Sequence, residues 1–135
     1  MPYVFPCVLG ILMMTIYNNI KDGSYIMSEN VIAEVSIVPV GTGDCSLSKY
    51  VAGCLKVIEA SGDVKYQLTP MGTVLEGPLD SVLATIKLMH EVPFKNGIKR
   101  VVTTIKIDDR RDIEASMNRK VDSVLNKMQD MGERG

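Results

Sequence analysis

Three short stretches carry residue types that could do chemistry. The segment "IKIDDRR", Ile105 to Arg111, begins as a strand and ends in two acids followed by two guanidinium groups. Such a knot either forms surface ion pairs, which contribute little, or presents Asp108, Asp109, Arg110 and Arg111 across a subunit boundary, where Arg forks recognise carboxylate, phosphate or sulfate. Glu34 stands inside the apolar run "VIAEVSIVPV", where an unpaired charge is expensive. Lys106 on a neighbouring strand is its simplest partner; a cationic or amine-bearing ligand is the alternative. Thr69-Pro70-Met71-Gly72-Thr73 puts a backbone kink, two hydroxyls and a thioether into one short turn, which suits a pocket wall and a rigid hairpin corner equally.

Other candidates are weaker. Gly41-Thr42-Gly43 precedes a helical pattern and could aim backbone N–H groups at an anion, but Ser46 stands where the third glycine of a dinucleotide fingerprint belongs, so a plain turn is expected. Cys45 near that helix start has no histidine or second cysteine close in sequence, and reads as an unreactive thiol. His90 is the only histidine, which excludes a histidine-based metal cluster. Its place on an apolar helical face makes it structural, and no nucleophile stands beside it as a triad would require. No catalytic residue, metal or cofactor is expected.

These residues sit in a chain of 135 residues, the size of one ordinary domain with a core that needs no disulfide. Charged residues make up 23% and the net charge is −1, which gives no footprint for nucleic acid. Tryptophan is absent and phenylalanine numbers only 2, so base-stacking platforms are also missing. Cys7, Cys45 and Cys54 form neither a CxxC pair nor an even framework, which predicts free thiols and a cytoplasmic protein. Residues 4–17, "VFPCVLGILMMTIY", are apolar but shorter than the about 20 residues a membrane span needs, and Pro6 and Gly10 interrupt them. They also lack the flanks of a secretory signal. Residues 1–26 are therefore expected to be an extension outside the domain, and residues 27–135 the domain itself.

The elements follow from periodicity. Val31, Ala33, Val35 and Ile37 alternate with Ile32, Glu34, Ser36 and Val38, the pattern of a strand with one fully apolar face. Leu47, Val51, Cys54, Leu55 and Ile58 recur at helical spacing behind Ser46 or Ser48 as caps. Two short runs, 64–69 and 71–76, are split by Pro70. Pro78 then opens a second helix with Leu79, Val82, Leu83, Ile86 and Met89 on one face. A last strand over residues 98–107 turns Val101, Thr103, Ile105 and Ile107 one way, and a final helix starts near Ile113. The order β-α-β-β-α-β plus a C-terminal helix is an α+β, ferredoxin-like plan. Both crossover helices cover one sheet face, leaving Glu34, Ser36, Val38, Thr104 and Lys106 on an open face that suits another subunit or a ligand.

The segments "AEVSIVPVGTG", "SKYVA", "YQLTPMGTVLEG", "MHE" and "KRVVTTIKIDDRRD" resemble, in order and spacing, the small thiamine-binding-protein family, which includes the YkoF-type proteins. The resemblance runs from about Val31 to Val124. It implies a ferredoxin-like domain that pairs into dimers and commonly tetramers and binds thiamine or its hydroxymethylpyrimidine portion without catalysis. Carried onto this chain, the implied ligand positions are Glu34, Ser36, Thr69, Met71 and Thr73. Lys106, Asp108, Asp109, Arg110 and Arg111 are assigned to the ligand or the subunit interface, with an inclination to the interface. The implied role is carrier, buffer or sensor, with the site at the open face or between subunits. A structural oligomer and an enzyme of thiamine-related metabolism are the alternatives. Arginines lining the pocket would favour an anionic ligand over free thiamine.

Overall fold

The computed structural model describes residues 30–132. The apolar stretch and the expected domain start at Met27 lie outside the described residues. The elements are β1 (Asn30–Val40), α1 (Ser48–Glu59), β2 (Lys65–Leu68), β3 (Thr73–Pro78), α2 (Leu79–Lys95), β4 (Arg100–Asp108) and α3 (Met117–Gly132). The four strands form one antiparallel sheet in the order β2-β3-β1-β4. This is the ferredoxin-like arrangement, with β1 and β3 in the centre: β3 returns beside β1 through the β2–β3 hairpin, and β4 returns on its other side through the α2 crossover.

The alternation in β1 decides which side is covered. Val31, Ala33 and Val35 join Leu75 of β3 on one face, and Cys54 and Ile58 of α1 with Val82, Ile86 and Met89 of α2 close over them. Each fully buried aliphatic side chain there contributes on the order of 2 kcal/mol through removal from water. Ile105 and Ile107 oppose Val35 and Ala33 in the register and so share that face. They nevertheless stay 43% and 40% exposed, because β4 is the edge strand and α2 meets it at Thr103, through His90, rather than over these two residues.

Several local expectations change. No serine caps α1: Leu47 holds the cap position without a side-chain bond, and Ser46 instead donates its N–H to Asp44 Oδ1 at 2.9 Å. Strands β2 and β3 stop at Leu68 and start at Thr73, because residues 69–72 close on themselves. Thr69 donates both its N–H and its hydroxyl to Gly72 O, each at 2.9 Å, and the Gly72 N–H returns to Thr69 Oγ1 at 3.1 Å. The last helix begins at Met117 rather than near Ile113. Its first N–H is donated to Glu76 Oε2 at 2.8 Å, so a carboxylate from β3 caps it where the helix dipole favours negative charge.

Glu76 opposes Ile32 and therefore belongs to the face away from α1 and α2. The segment after β4 thus crosses that face at the Ile32 end, held by Glu76 and by an ion pair between Lys120 and Asp108. The open face is narrower than the sequence implies, and what remains uncovered runs from Glu34 to Val40. Helix α3 leaves with Val121, Val124, Leu125 and Met128 all exposed on one side.

Candidate functional site

The unequal lengths of the strands make the cleft. Strand β1 pairs with β3 only as far as Val35↔Thr73, but with β4 as far as Val40↔Arg100. Beyond Val35 it therefore has a ladder partner on one side only. On the other side, beneath α1, the 69–72 corner swings away and leaves a space of about 470 Å³. That is within the range of small-molecule pockets, roughly 300–1,000 Å³.

Its walls are chemically mild. Leu47, Val51 and Leu55 of α1 form one side, Cys54 and Met89 the floor, and Leu68 and Met71 the outer lip. Met71 is 90% exposed at that lip. Among the described residues no charged side chain lines the cleft. The Cys54 thiol lies 3.5 Å from Met89 O, and burial pushes its pKa up, so it is a protonated, poorly nucleophilic wall group.

One polar group stands out. Thr73 is only 5% exposed, lines the cleft, and its hydroxyl makes no hydrogen bond to the described residues. No buried side-chain polar atom is left without a partner among the described residues, so the Thr73 oxygen is one that the cleft reaches, and it can meet a ligand there. The Thr69 hydroxyl, by contrast, is engaged in closing the corner. The short Thr69–Thr73 stretch is therefore a rigid corner and a pocket wall at once.

Of the five side chains named from sequence as ligand positions, Ser36, Thr69, Met71 and Thr73 meet at this cleft. Ser36 alternates toward the opposite face and touches the cleft at its rim. Glu34 does not line the cleft; its carboxylate is 3.5 Å from Lys106 Nζ on the open face. Both side chains are more than half exposed, so Glu34 does not incur the burial cost that its apolar neighbours in sequence imply.

The charge knot resolves into local pairs. Arg110 forks onto Asp112 at 2.5 and 2.7 Å, Arg111 reaches Asp109 at 2.8 Å, and Asp108 pairs with Lys120. The hydrogen bonds from Arg111 and Arg110 hold the Asp109 and Asp112 carboxyls below their usual range. Neither arginine lines the cleft. His90 lies outside it too, its Nδ1 2.7 Å from Thr103 Oγ1 and its ring edge-on to Phe94. Among the described residues no three His, Cys, Asp or Glu side chains are placed to hold a metal ion, and no helix is long and apolar enough to cross a membrane.

Sequence reasoning missed the contribution of α1. Its apolar stripe was legible, but a stripe that lines a cleft has the same period as one that fills a core. It also missed Glu76, whose only signal was a carboxylate in a strand otherwise free of charge.

Comparisons with known proteins agree with the fold. The model of the family described as "Thiamine-binding protein" matches residues 33–125. The UPF0045 protein YqgV of Bacillus subtilis is 48% identical over 101 residues, covering 73% of this chain and 97% of YqgV. A UPF0045 protein of Methanothermobacter thermautotrophicus is 40% identical over 99 residues, 73% of this chain and 99% of that one. Among solved structures, the hypothetical protein MJ1052 of Methanocaldococcus jannaschii superposes with a TM-score of 0.65 at 43% identity, covering 71% of this chain and 96% of that one. A candidate thiamine biosynthesis/salvage protein of Thermotoga maritima shares the fold, with a TM-score of 0.59 at 22% identity over 70% of this chain and 98% of that one.

Proposed function

The chain belongs to the thiamine-binding protein family, and from that premise we propose that its cleft binds thiamine or the hydroxymethylpyrimidine portion of it, without catalysis, as a carrier, buffer or sensor. The observation that carries the reading is the Thr73 hydroxyl, open to an uncharged cleft of about 470 Å³ and without a partner among the described residues. A neutral aminopyrimidine offers donors and acceptors to a hydroxyl and apolar faces to Leu47, Leu55 and Met89. A phosphate finds no cation in the lining, and Arg110 and Arg111 are engaged with carboxylates elsewhere, so the unphosphorylated forms are favoured. Thr73 is the hydrogen-bonding group, Thr69 holds the corner, Met71 closes over the ligand and Ser36 borders it.

Isothermal calorimetry with hydroxymethylpyrimidine, thiamine and thiamine phosphate tests the function. Heat from the first two and little from the phosphate is the expected pattern; silence from all three sinks the reading. Location is tested by alkylation. Cys54 lines the cleft and Cys45 does not, so a bound pyrimidine slows iodoacetamide at Cys54 and leaves the exposed Cys45 unchanged.

The oligomer belongs to the same proposal. Strand β4 has a free edge with Ile105 and Ile107 uncovered, and α3 presents Val121, Val124, Leu125 and Met128. Each of these exposed apolar strips marks an association face. Glu34 and Lys106 on the open face of the sheet and the Asp108–Arg111 knot at the end of β4 are assigned to subunit contacts in a tetramer, or a dimer, acting in the cytoplasm. Light scattering is expected to give a multiple of 14.8 kDa; a monomeric mass overturns the assignment.

A further inference from the structure

The cleft has a second set of polar groups, and they belong to the main chain. The Val35 carbonyl oxygen lies 2.9 Å from where a Cβ on Gly72 would stand, so Val35 turns its hydrogen-bonding groups toward β3. Direction alternates along a strand: Ser36 and Val38 serve β4, and Ile37 turns its N–H and C=O to the same side as Val35. Strand β3 has ended by then. No residue pairs with Ile37 on that side, and among the described residues nothing bonds its N–H there. Ile37 lines the cleft. In an extended residue the N–H and C=O lie side by side, the pair that a neighbouring strand would engage.

Main-chain groups enclosed in a protein are almost always satisfied. A donor and an acceptor left side by side at an uncharged cleft therefore call for a ligand edge with the reverse pattern. A ring nitrogen next to a primary amine has that pattern: the ring nitrogen accepts from Ile37 N–H and the amine donates to Ile37 O. We propose that the cleft selects unphosphorylated heteroaromatic rings bearing such an amidine edge, by pairing with the main chain of Ile37, while the Thr73 hydroxyl takes a ring substituent. This rests on the cleft being the binding site. It adds that recognition of the ring edge is performed by backbone, so no side chain in the lining has to be complementary to the amine.

The test uses the full chain labelled with nitrogen-15 and two probes, 4-amino-5-hydroxymethyl-2-methylpyrimidine and its counterpart with hydrogen in place of the amine. On saturation with the first, the Ile37 amide proton is expected to move downfield and to exchange with solvent at least about tenfold more slowly, and the second is expected to bind about tenfold more weakly, the cost of one buried acceptor left unpaired. Ile37→Pro removes the N–H without taking a bond from the β1–β4 ladder; it is expected to lose about tenfold in affinity. An Ile37 amide that does not respond in saturated protein, or equal affinity for the two rings, overturns the backbone pairing and leaves the cleft intact as the site. If the amino ring saturates no amide around the cleft, including those of Ser48, Gly72 and Thr73, the site itself falls.

Discussion

The two halves of β1 lie in one strand and do different work. From Asn30 to Val35 it is flanked by β3 and β4, and its inward side chains are sealed beneath α1 and α2. From Ser36 to Val40 it keeps β4 but has lost β3, and the vacated side is the cleft. The alternating sequence is nearly the same in both halves. What differs is the neighbour, and with it the fate of the main-chain groups: ladder bonds in the first half, free donors and acceptors in the second. Stability and recognition are thereby divided along a single element, with the 69–72 corner as the boundary.

Substitutions on either side of that boundary should separate the two roles. The largest expected effect is in the sealed half. Leu75 is fully buried opposite Ala33, and Leu75→Ala should cost about 3 kcal/mol in urea unfolding; a loss below about 1 kcal/mol would mean that the core is centred elsewhere. At the boundary, a Cβ on Gly72 would stand 2.9 Å from Val35 O, too close to be accommodated by a side-chain rotation. Gly72→Ala should therefore shift the corner, lower stability by about 1–2 kcal/mol, and weaken pyrimidine binding by more than unfolding explains. Unchanged calorimetric affinity would show that the corner does not shape the site.

In the open half, Thr73→Val should reduce pyrimidine affinity about tenfold while leaving stability within about 1 kcal/mol, since the hydroxyl has no protein partner to lose. A stability loss without a binding loss would reverse that assignment. The smallest effect is expected at Glu34, whose ion pair with Lys106 is exposed on the other face. Glu34→Gln should change stability by less than about 0.5 kcal/mol and leave affinity unaltered. A large binding loss there would move the ligand to the open face.

The pH response follows the same division. Arg111 and Arg110 depress Asp109 and Asp112, so their stabilising pairs are in place above the ordinary carboxylate range and are lost as pH falls through the lower folded values. These groups are exposed and distant from the uncharged cleft. Acid should erode stability slightly before it touches binding, which calorimetry at descending pH would check.

Much of this was visible in the residues. Val31, Ala33 and Val35 announced the covered face, and the stripes in α1 and α2 announced what covers it, because burial imposes a period on each element. The Thr69–Thr73 stretch reads equally as a pocket wall or a hairpin corner in the sequence, and in the structure it is a closed corner that also lines the cleft. Glu34 pairs with Lys106, the partner that the strand pattern offers, and both stay exposed because their face of the sheet is open. The late start of α3 escaped notice because its cap, Glu76, comes from a strand 41 residues earlier.

The sequence alone determined the element order, the central place of β1 and the inward face of the sheet, since each depends on local periodicity and on the short connections of a split β-α-β plan. Only the tertiary structure decided where β3 stops against β1. That register depends on how Thr69 and Gly72 close the corner and on how closely Gly72 can approach the Val35 carbonyl. Both are distances across space between segments far apart in the chain. The cleft, the unpaired edge at Ile37 and the unpartnered hydroxyl of Thr73 all follow from that one stopping point.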